Sequence, residues 1–386
     1  MEGCIKNCLL CGKCAKLPIL DTFHKKQYQF TPREGYGIAM DIGTTTVVLA
    51  LADLHTCDIT ARHCFPNPQR AFGPDVISRI NASNEGYGGD LRALIVKQIS
   101  NGIDELMRSR HIESHRVLDM VIAGNTTMIY LLLGFPCQSL GASPFKPECR
   151  LSDQYTAKDL LCHTSIDVPV MILPWLGAFI GGDITAGLLH VLPDELESFI
   201  LIDLGTNGEI TLYNRGRLVI TATAAGPAFE DAALSGGASG VIHELALLVR
   251  SRALTEAGLL TSDSCFTQKQ IRNLQLAKSA VRSGIEILMD IAGIQPHSVD
   301  AVYLAGGIGQ AMHIDDAVDI GLIPAGLHAK TRSVGNASLG GAVRVLFEPE
   351  KTSADIRRLT ASMCEVNLAE HPLFNDRFME YMFFES

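Results

Sequence analysis

Two kinds of chemistry are written into residue types and spacings of this chain. Cys4, Cys8, Cys11 and Cys14 crowd its start, while the other cysteines are scattered singly among apolar neighbours. Thiols clustered in that way are candidate metal ligands. Farther along, Asp41-Ile42-Gly43-Thr44-Thr45-Thr46 and Asp203-Leu204-Gly205-Thr206-Asn207-Gly208 share the order Asp-x-Gly-Thr. Glycine lets the backbone approach a phosphate closely, and consecutive N–H groups and threonine hydroxyls donate to its oxygens. An Asp at the strand end can hold Mg2+ through water or orient an attacking water, since Mg2+ favours a few carboxylates plus substrate phosphate. A single turn of this kind is more often an ordinary tight hairpin; two copies at matching strand ends make a constellation.

Each turn separates two apolar, β-rich runs, within Gly37–Leu51 and within Phe199–Tyr213, so each is expected to be a hairpin opening one of two related lobes. Helical periodicity marks Asp90–Arg110 and Lys269–Ile291. Ala301–Met312 reads as a buried strand running into glycines and then a turn or helix start. Met120–Phe145 is long enough for a bilayer, which needs roughly 20 apolar residues. Gly124-Asn125-Thr126-Thr127 and Gly134-Phe135-Pro136 interrupt it, which predicts a buried strand, a polar turn and a short helix. Leu17–Tyr36 is polar, with Pro18, Pro32 and Gly35, and suits a linker; Ser353–Ser386 is a more polar tail expected to pack over the body.

Composition narrows the class. The formal charge of −10 argues against nucleic-acid binding, and 47% hydrophobic with 19% charged residues describes a globular chain able to bury large cores. The first residues lack the basic and apolar regions of a signal peptide. With eleven cysteines, the expectation is a reducing, cytoplasmic setting without a membrane span.

Cys8-x2-Cys11-x2-Cys14 repeats the compact run that supplies three thiolates to one four-iron cluster, with Cys4 as a fourth ligand. Structural zinc sites usually pair two knuckles across a longer insert, so the spacing favours iron; zinc and free thiols remain the alternatives. His111 and His115 lie four apart but lack the zincin order and read as an exposed helix end. Cys57 and Cys64 near a hairpin could add a ligand or be buried thiols, and Trp175 reads as core.

The two turns, followed by Ala305-Gly306-Gly307-Ile308-Gly309, resemble in order the phosphate-one, phosphate-two and adenosine loops of the actin, Hsp70 and sugar-kinase (ASKHA) superfamily. Ala123–Met128, Gly181–Thr185, Ala224–Glu230 and Gly335–Leu339 narrow the resemblance to the ATPase part of the reductive activators of corrinoid proteins, over roughly 37–380. The resemblance implies an α/β fold of two ribonuclease-H-like lobes closing over ATP, divided as 1–34 cysteine-rich segment and linker, 35–197 lobe I, and 198–386 lobe II with tail. It implies that Asp41 and Asp203 bind magnesium and the attacking water. Thr44, Thr45, Thr206 and Asn207 would hold phosphates, with Gly43, Thr46, Gly205 and Gly226 in the same loops, and Gly306 and Gly307 would lie against the nucleotide. Asn125 and Asp183 are candidates at the nucleotide and Glu230 at the catalytic centre, with a turn or helix cap as the alternative for each.

The activity so implied is ATP-driven transfer of a low-potential electron, from an external donor through a [4Fe-4S] cluster, to a metalloprotein partner. The expected partner is a corrinoid protein whose Co(II) is reduced to Co(I). A small-molecule kinase of the same fold, or a nucleotide-dependent scaffold with a structural zinc, is the alternative. Many members begin with a plant-type two-iron ferredoxin domain and a middle domain, whereas here only the short cysteine run precedes the body. That segment would pack on the body, be shared across a homodimer, or order with its cluster.

Overall fold

The computed structural model describes residues 32–384 except 153, 162–163, 193–195, 206, 224–227 and 230–236. Cys4, Cys8, Cys11, Cys14, Thr206, Gly226 and Glu230 therefore lie outside the described residues. The strands are β1 (Tyr36–Ile42), β2 (Thr46–Asp53), β3 (Asp58–Pro66), β4 (Val117–Gly124), β5 (Tyr155–Thr156), β6 (Pro169–Ile172), β7 (Ser198–Leu204), β8 (Gly208–Asn214), β9 (Arg217–Thr223), β10 (Ala301–Ala305), β11 (Thr331–Gly335) and β12 (Met363–Glu365). The helices that bear on the argument are α1 (Val76–Ala82), α2 (Gly88–Ser109), α3 (Thr126–Leu133), α4 (Gly182–Val191), α5 (Gln268–Ala292), α6 (Gly306–Ala311), α7 (Ala337–Phe347) and α8 (Pro349–Ser362).

Two sheets form, ordered β3-β2-β1-β4-β6-β5 and β11-β10-β7-β8-β9-β12. The repeat read from the two Asp-x-Gly-Thr runs is thus a repeat of topology. In each sheet an antiparallel hairpin, β1–β2 or β7–β8, continues into a third antiparallel strand, and its first strand pairs in parallel with a later one, β4 or β10. The central strands carry near-continuous apolar runs because helices cover them; Ile38, Met40, Leu49, Ile122, Ile200, Ile202, Ile210 and Leu304 are all fully buried. The fold is α/β, as the sequence implies.

The chain separates into two compact units, residues 1–192 with 336–360, and 193–335 with 361–386. The stretch 336–360, assigned from sequence to the second lobe, therefore packs with the first. The reason is α7: it is buried along its whole length, and its Gly340 and Gly341 let it approach α4 so closely that a Cβ on Gly341 would lie on the carbonyl of Ala186. Nor does the tail simply cover the body. Residues 353–362 complete α8, β12 pairs in parallel with β9, and Met382 and Phe384 are buried in the second unit.

Local rules account for the helix ends. Thr267 and Gln270 form a capping box at the start of α5, and Gly293 closes it at φ +66° in the left-handed region. The expected strand, polar turn and short helix over Met120–Phe145 are β4, Asn125 and α3. At the linker's end, Arg33 is held by Asp119 at 2.5 Å and by the carbonyl of Leu346 at 2.9 Å. No helix among the described residues is long and apolar enough to cross a membrane.

Candidate nucleotide site

In the first unit, Asp41 is the penultimate residue of β1, and after Ile42 the chain reverses through Gly43–Thr45 into β2. The N–H of Gly43 donates to the carbonyl of Thr46 at 3.1 Å, and a Cβ on Gly43 would stand 2.7 Å from that oxygen, so the turn needs glycine. Thr44 is buried and its hydroxyl accepts from Asn125 Nδ2 at 2.9 Å, whereas Thr45 and Thr46 are exposed. Asn125 also caps α3, accepting the N–H of Met128 at 2.9 Å. The cap and the link to the turn are thus one residue's two functions.

Gly181 brings Asp183 to the same place. A Cβ there would lie 2.4 Å from Asn125 Cα and 2.6 Å from Asp183 Oδ1, so the N-terminus of α4 meets the start of α3 through a contact only glycine permits. Asp183 Oδ1 accepts the N–H of Ile184 at 2.9 Å.

The carboxylate of Asp41 is held by two donors, neither of which the sequence reading assigned. Asn336 Nδ2 donates to Oδ2 at 2.7 Å and Ser338 Oγ to Oδ1 at 2.8 Å. Both stand at the start of α7, where Asn336 also caps the helix by accepting the N–H of Leu339 at 2.7 Å. Burial raises the Asp41 pKa above the ordinary carboxylate value, and the two donors act against that shift. Among the described residues Asp41 has no cationic partner. The string Gly335-Asn336-Ala337-Ser338-Leu339 offered a signal: two small side-chain donors at the mouth of an apolar helix.

In the second unit the arrangement recurs with different residues. Asp203 is the penultimate residue of β7, opposite Glu209 on β8 and beside Ala305 on β10. Gly205 donates its N–H to the carbonyl of Asn207 at 2.9 Å, closing the turn. Gly306, at φ +80°, lies directly on Asp203: an added Cβ would be 2.3 Å from Asp203 Oδ1 and 2.5 Å from the carbonyl of Leu204. A Cβ on Gly307, by contrast, would meet nothing within 4 Å. The backbone at the start of α6 is thus open at Gly307 and closed at Gly306. Glu209, buried and directly across the hairpin from Asp203, is a second carboxylate that sequence reasoning passed over.

His111 is exposed beyond the end of α2, and His115 pairs with Glu113 at 3.2 Å. Cys57 and Cys64 form no disulfide, and among the described residues no group of three or more His, Cys, Asp or Glu could hold a metal. Trp175 is half-buried at the rim of the first core, its ring 5.2 Å from that of Tyr130.

Family models add identity to this geometry. The model of the RACo middle region matches residues 36–193, and that of the C-terminal domain of RACo, the ASKHA domain, matches 197–248 and 243–386. The chain belongs to the RACo family. The middle region is thus present as the first unit's sheet and helices, which corrects the expectation that only a cysteine run stands before the ATPase body. RamQ, a corrinoid activation enzyme of Eubacterium limosum, is 29% identical over 415 residues, covering 89% of this chain and 69% of that protein. The reductase of the Co(II) methylated-amine-specific corrinoid protein from Methanosarcina barkeri is 20% identical over 423 residues, covering 89% and 76%. The solved structure of a reductive activator for the corrinoid, iron-sulfur protein superposes with a TM-score of 0.80 at 28% identity, covering 92% of this chain and 67% of that one.

Proposed function

We propose that this chain is an ATP-driven reductive activator that delivers one low-potential electron to a partner corrinoid protein, taking its cobalt from Co(II) to Co(I). The observation that carries the reading is the RACo match across both units together with the Asp41 carboxylate, held on both oxygens at the end of a glycine–threonine turn. RamQ, the Methanosarcina barkeri reductase and the reductive activator are each named for corrinoid activation or reduction, not as a metabolite kinase or a zinc scaffold.

In this reading Gly43–Thr46 and Gly205–Gly208 each donate N–H and hydroxyl groups to nucleotide phosphates. Asn336 and Ser338 keep the Asp41 carboxylate oriented toward Mg2+ or its waters, and Asp203 does the same in its own unit, steadied by the close approach of Gly306. Asn125 transmits the position of Thr44 to α3, and Asp183 stands at the start of α4. Cys4, Cys8, Cys11 and Cys14 would hold the iron–sulfur cluster, which when bound supplies one-electron transfer from a low-potential donor.

ATP is required because a ligated Co(II) corrinoid is hard to reduce. For one electron, roughly 180 mV of uphill potential disfavours transfer by about 4 kcal/mol. An ATP-linked change that favours the partner in a more reducible state offsets that gap, and hydrolysis releases the product.

The test is anaerobic spectroscopy of the cognate corrinoid protein. Loss of the Co(II) band should need ATP, a low-potential reductant and residues 1–16 together, while deleting 1–16 leaves ATP hydrolysis largely intact. Equal reduction without ATP, or by the truncated chain, overturns the coupling. Asp203→Ala should abolish ATP turnover in a folded protein.

A further inference from the structure

Behind the turn of the first unit lies a charge that the reading above does not use. After β3 the chain runs from Asn67 to α1 alongside Gly43–Thr46. The backbone N–H of Asn67 donates to the carbonyl of Thr45 at 2.9 Å, and its Nδ2 donates to the carbonyl of Gly43, also at 2.9 Å. The same Nδ2 lies 3.4 Å from Met128 Sδ, on the helix that Asn125 caps. Arg79 Nη1 lies 3.3 Å from the same sulfur. Arg79 is therefore joined to the turn through two intermediates, Met128 and Asn67.

Its surroundings are unusual for a guanidinium. Arg79 is fully buried; Nε donates to the carbonyl of Gly73 at 3.0 Å, a thioether is its other acceptor, and Nη2 has no partner among the described residues. Among the described residues no carboxylate pairs with it. Asp75, which acts on it electrostatically, accepts from the N–H and hydroxyl of Ser78 at 2.8 and 3.0 Å to cap α1. Arg70, exposed on the same strap, adds a like charge. Burial accordingly pushes the Arg79 pKa down to about 10. Buried charges are ordinarily paired, and one left unpaired opposes the fold unless something brings a counter-charge.

We propose that the counter-charge comes from the ligand: Arg79 is a positioning residue that supplies a fixed positive field behind Gly43–Thr46 for nucleotide phosphate oxygens, acting through Asn67 and Met128 rather than by touching them. The inference rests on the nucleotide reading above. Field strength inside a poorly solvated wall falls slowly with distance, so a guanidinium two residues removed from the turn still favours an anion there. The bland role of Arg79 would be a strut tying Gly73 to α3.

The two roles separate on the number of ligand phosphates and on the stability of the empty protein. Affinities of adenosine, Mg-ADP and Mg-ATP are measured by calorimetry for wild type, Arg79→Met and Arg79→Lys, with thermal unfolding of each free protein. The field predicts that Arg79→Met, which keeps length and removes charge, binds Mg-ATP at least tenfold more weakly, Mg-ADP less severely so, and adenosine as wild type does. Its ligand-free form melts no lower than wild type, and Arg79→Lys stays within about threefold for every ligand. A strut predicts a lower melting temperature for both variants and a loss independent of phosphate number, and that result overturns the proposal, as does an Arg79→Met chain that fails to fold. Wild type that binds no Mg-ATP refutes the nucleotide reading itself, whereas wild-type binding with unchanged Arg79→Met binding refutes the role of Arg79 alone.

Discussion

Gly306→Ala and Gly307→Ala, one residue apart, should have opposite effects on the fold. Gly306 sits at φ +80°, and its missing Cβ is where Asp203 Oδ1 and the carbonyl of Leu204 already lie, at 2.3 and 2.5 Å. An alanine there costs about 1–2 kcal/mol for the left-handed backbone. Overpacking adds about 1–2 kcal/mol, since the nearest opposing atom belongs to a side chain that can shift. A loss near 3 kcal/mol lowers the melting temperature of a unit this size by roughly 6–12 °C. Gly307 is inside α6 with open space at its Cβ, so alanine there gains up to about 1 kcal/mol of helix propensity. If nucleotide lies against Gly307, the same methyl weakens Mg-ATP binding without destabilising the protein. Thermal unfolding by circular dichroism and calorimetric titration of Mg-ATP read the two effects separately. Equal melting temperatures for the two variants would refute the steric argument; unchanged affinity in Gly307→Ala would remove that residue from the nucleotide surface.

Further outcomes follow from other buried groups. His190, packed under Gly340 and beside Arg344, has its pKa lowered by burial to about 4, so the unfolded chain takes up the proton first. Stability should fall as pH drops from 6.5 toward 4, by up to about 3 kcal/mol, and urea unfolding of His190→Leu should show a flatter profile over that range. Lys278 Nζ, almost fully buried, donates to the carbonyls of Tyr381 and Phe383 at 2.7 and 2.6 Å, so removing residues 378–386 should cost about 1–3 kcal/mol or more. Lys278→Met in the truncated chain should recover part of the loss in the same unfolding assay. Serine at Cys4, Cys8, Cys11 and Cys14 together should remove about four irons per chain from a reconstituted sample; iron content equal to wild type places the ligands elsewhere.

What could be read before the structure was whatever has a local cause. The two hairpins follow from turns whose glycines and threonines sit between β-rich runs, and α2 and α5 from apolar positions repeating at helical spacing, to within two residues of their observed ends. Fold and family were legible because the strings that carry them are contiguous. Long-range partnerships were not. Nothing near Asp41 announces that its carboxylate is held by Asn336 and Ser338, nearly three hundred residues later. Nor does an Asp-Val-Ile-Ser-Arg string on a short helix distinguish a solvated arginine from one buried without a carboxylate.

These omissions share a cause that bears on how the site works. A turn supplies donors, but its charge is set by groups that tertiary packing brings to it. Among the described residues Asp41 has two neutral donors and no cation, and Arg79 has a carbonyl, a sulfur and no anion. Both are uncompensated charges of opposite sign near one glycine–threonine turn, and neither pairs with the other. Magnesium and phosphate would complete the two halves separately, since the cation suits the carboxylate and the anion suits the field behind the turn. Ligand binding then stabilises the first unit by compensating two charges, one of them fully buried, as well as by forming contacts, so the nucleotide-dependent gain in melting temperature should exceed what adenosine alone produces. Magnesium and inorganic pyrophosphate added together should reproduce most of that excess, whereas either added alone should give less than half. A full shift from adenosine alone would show that the charges at Asp41 and Arg79 contribute nothing to the ligand's hold on the fold.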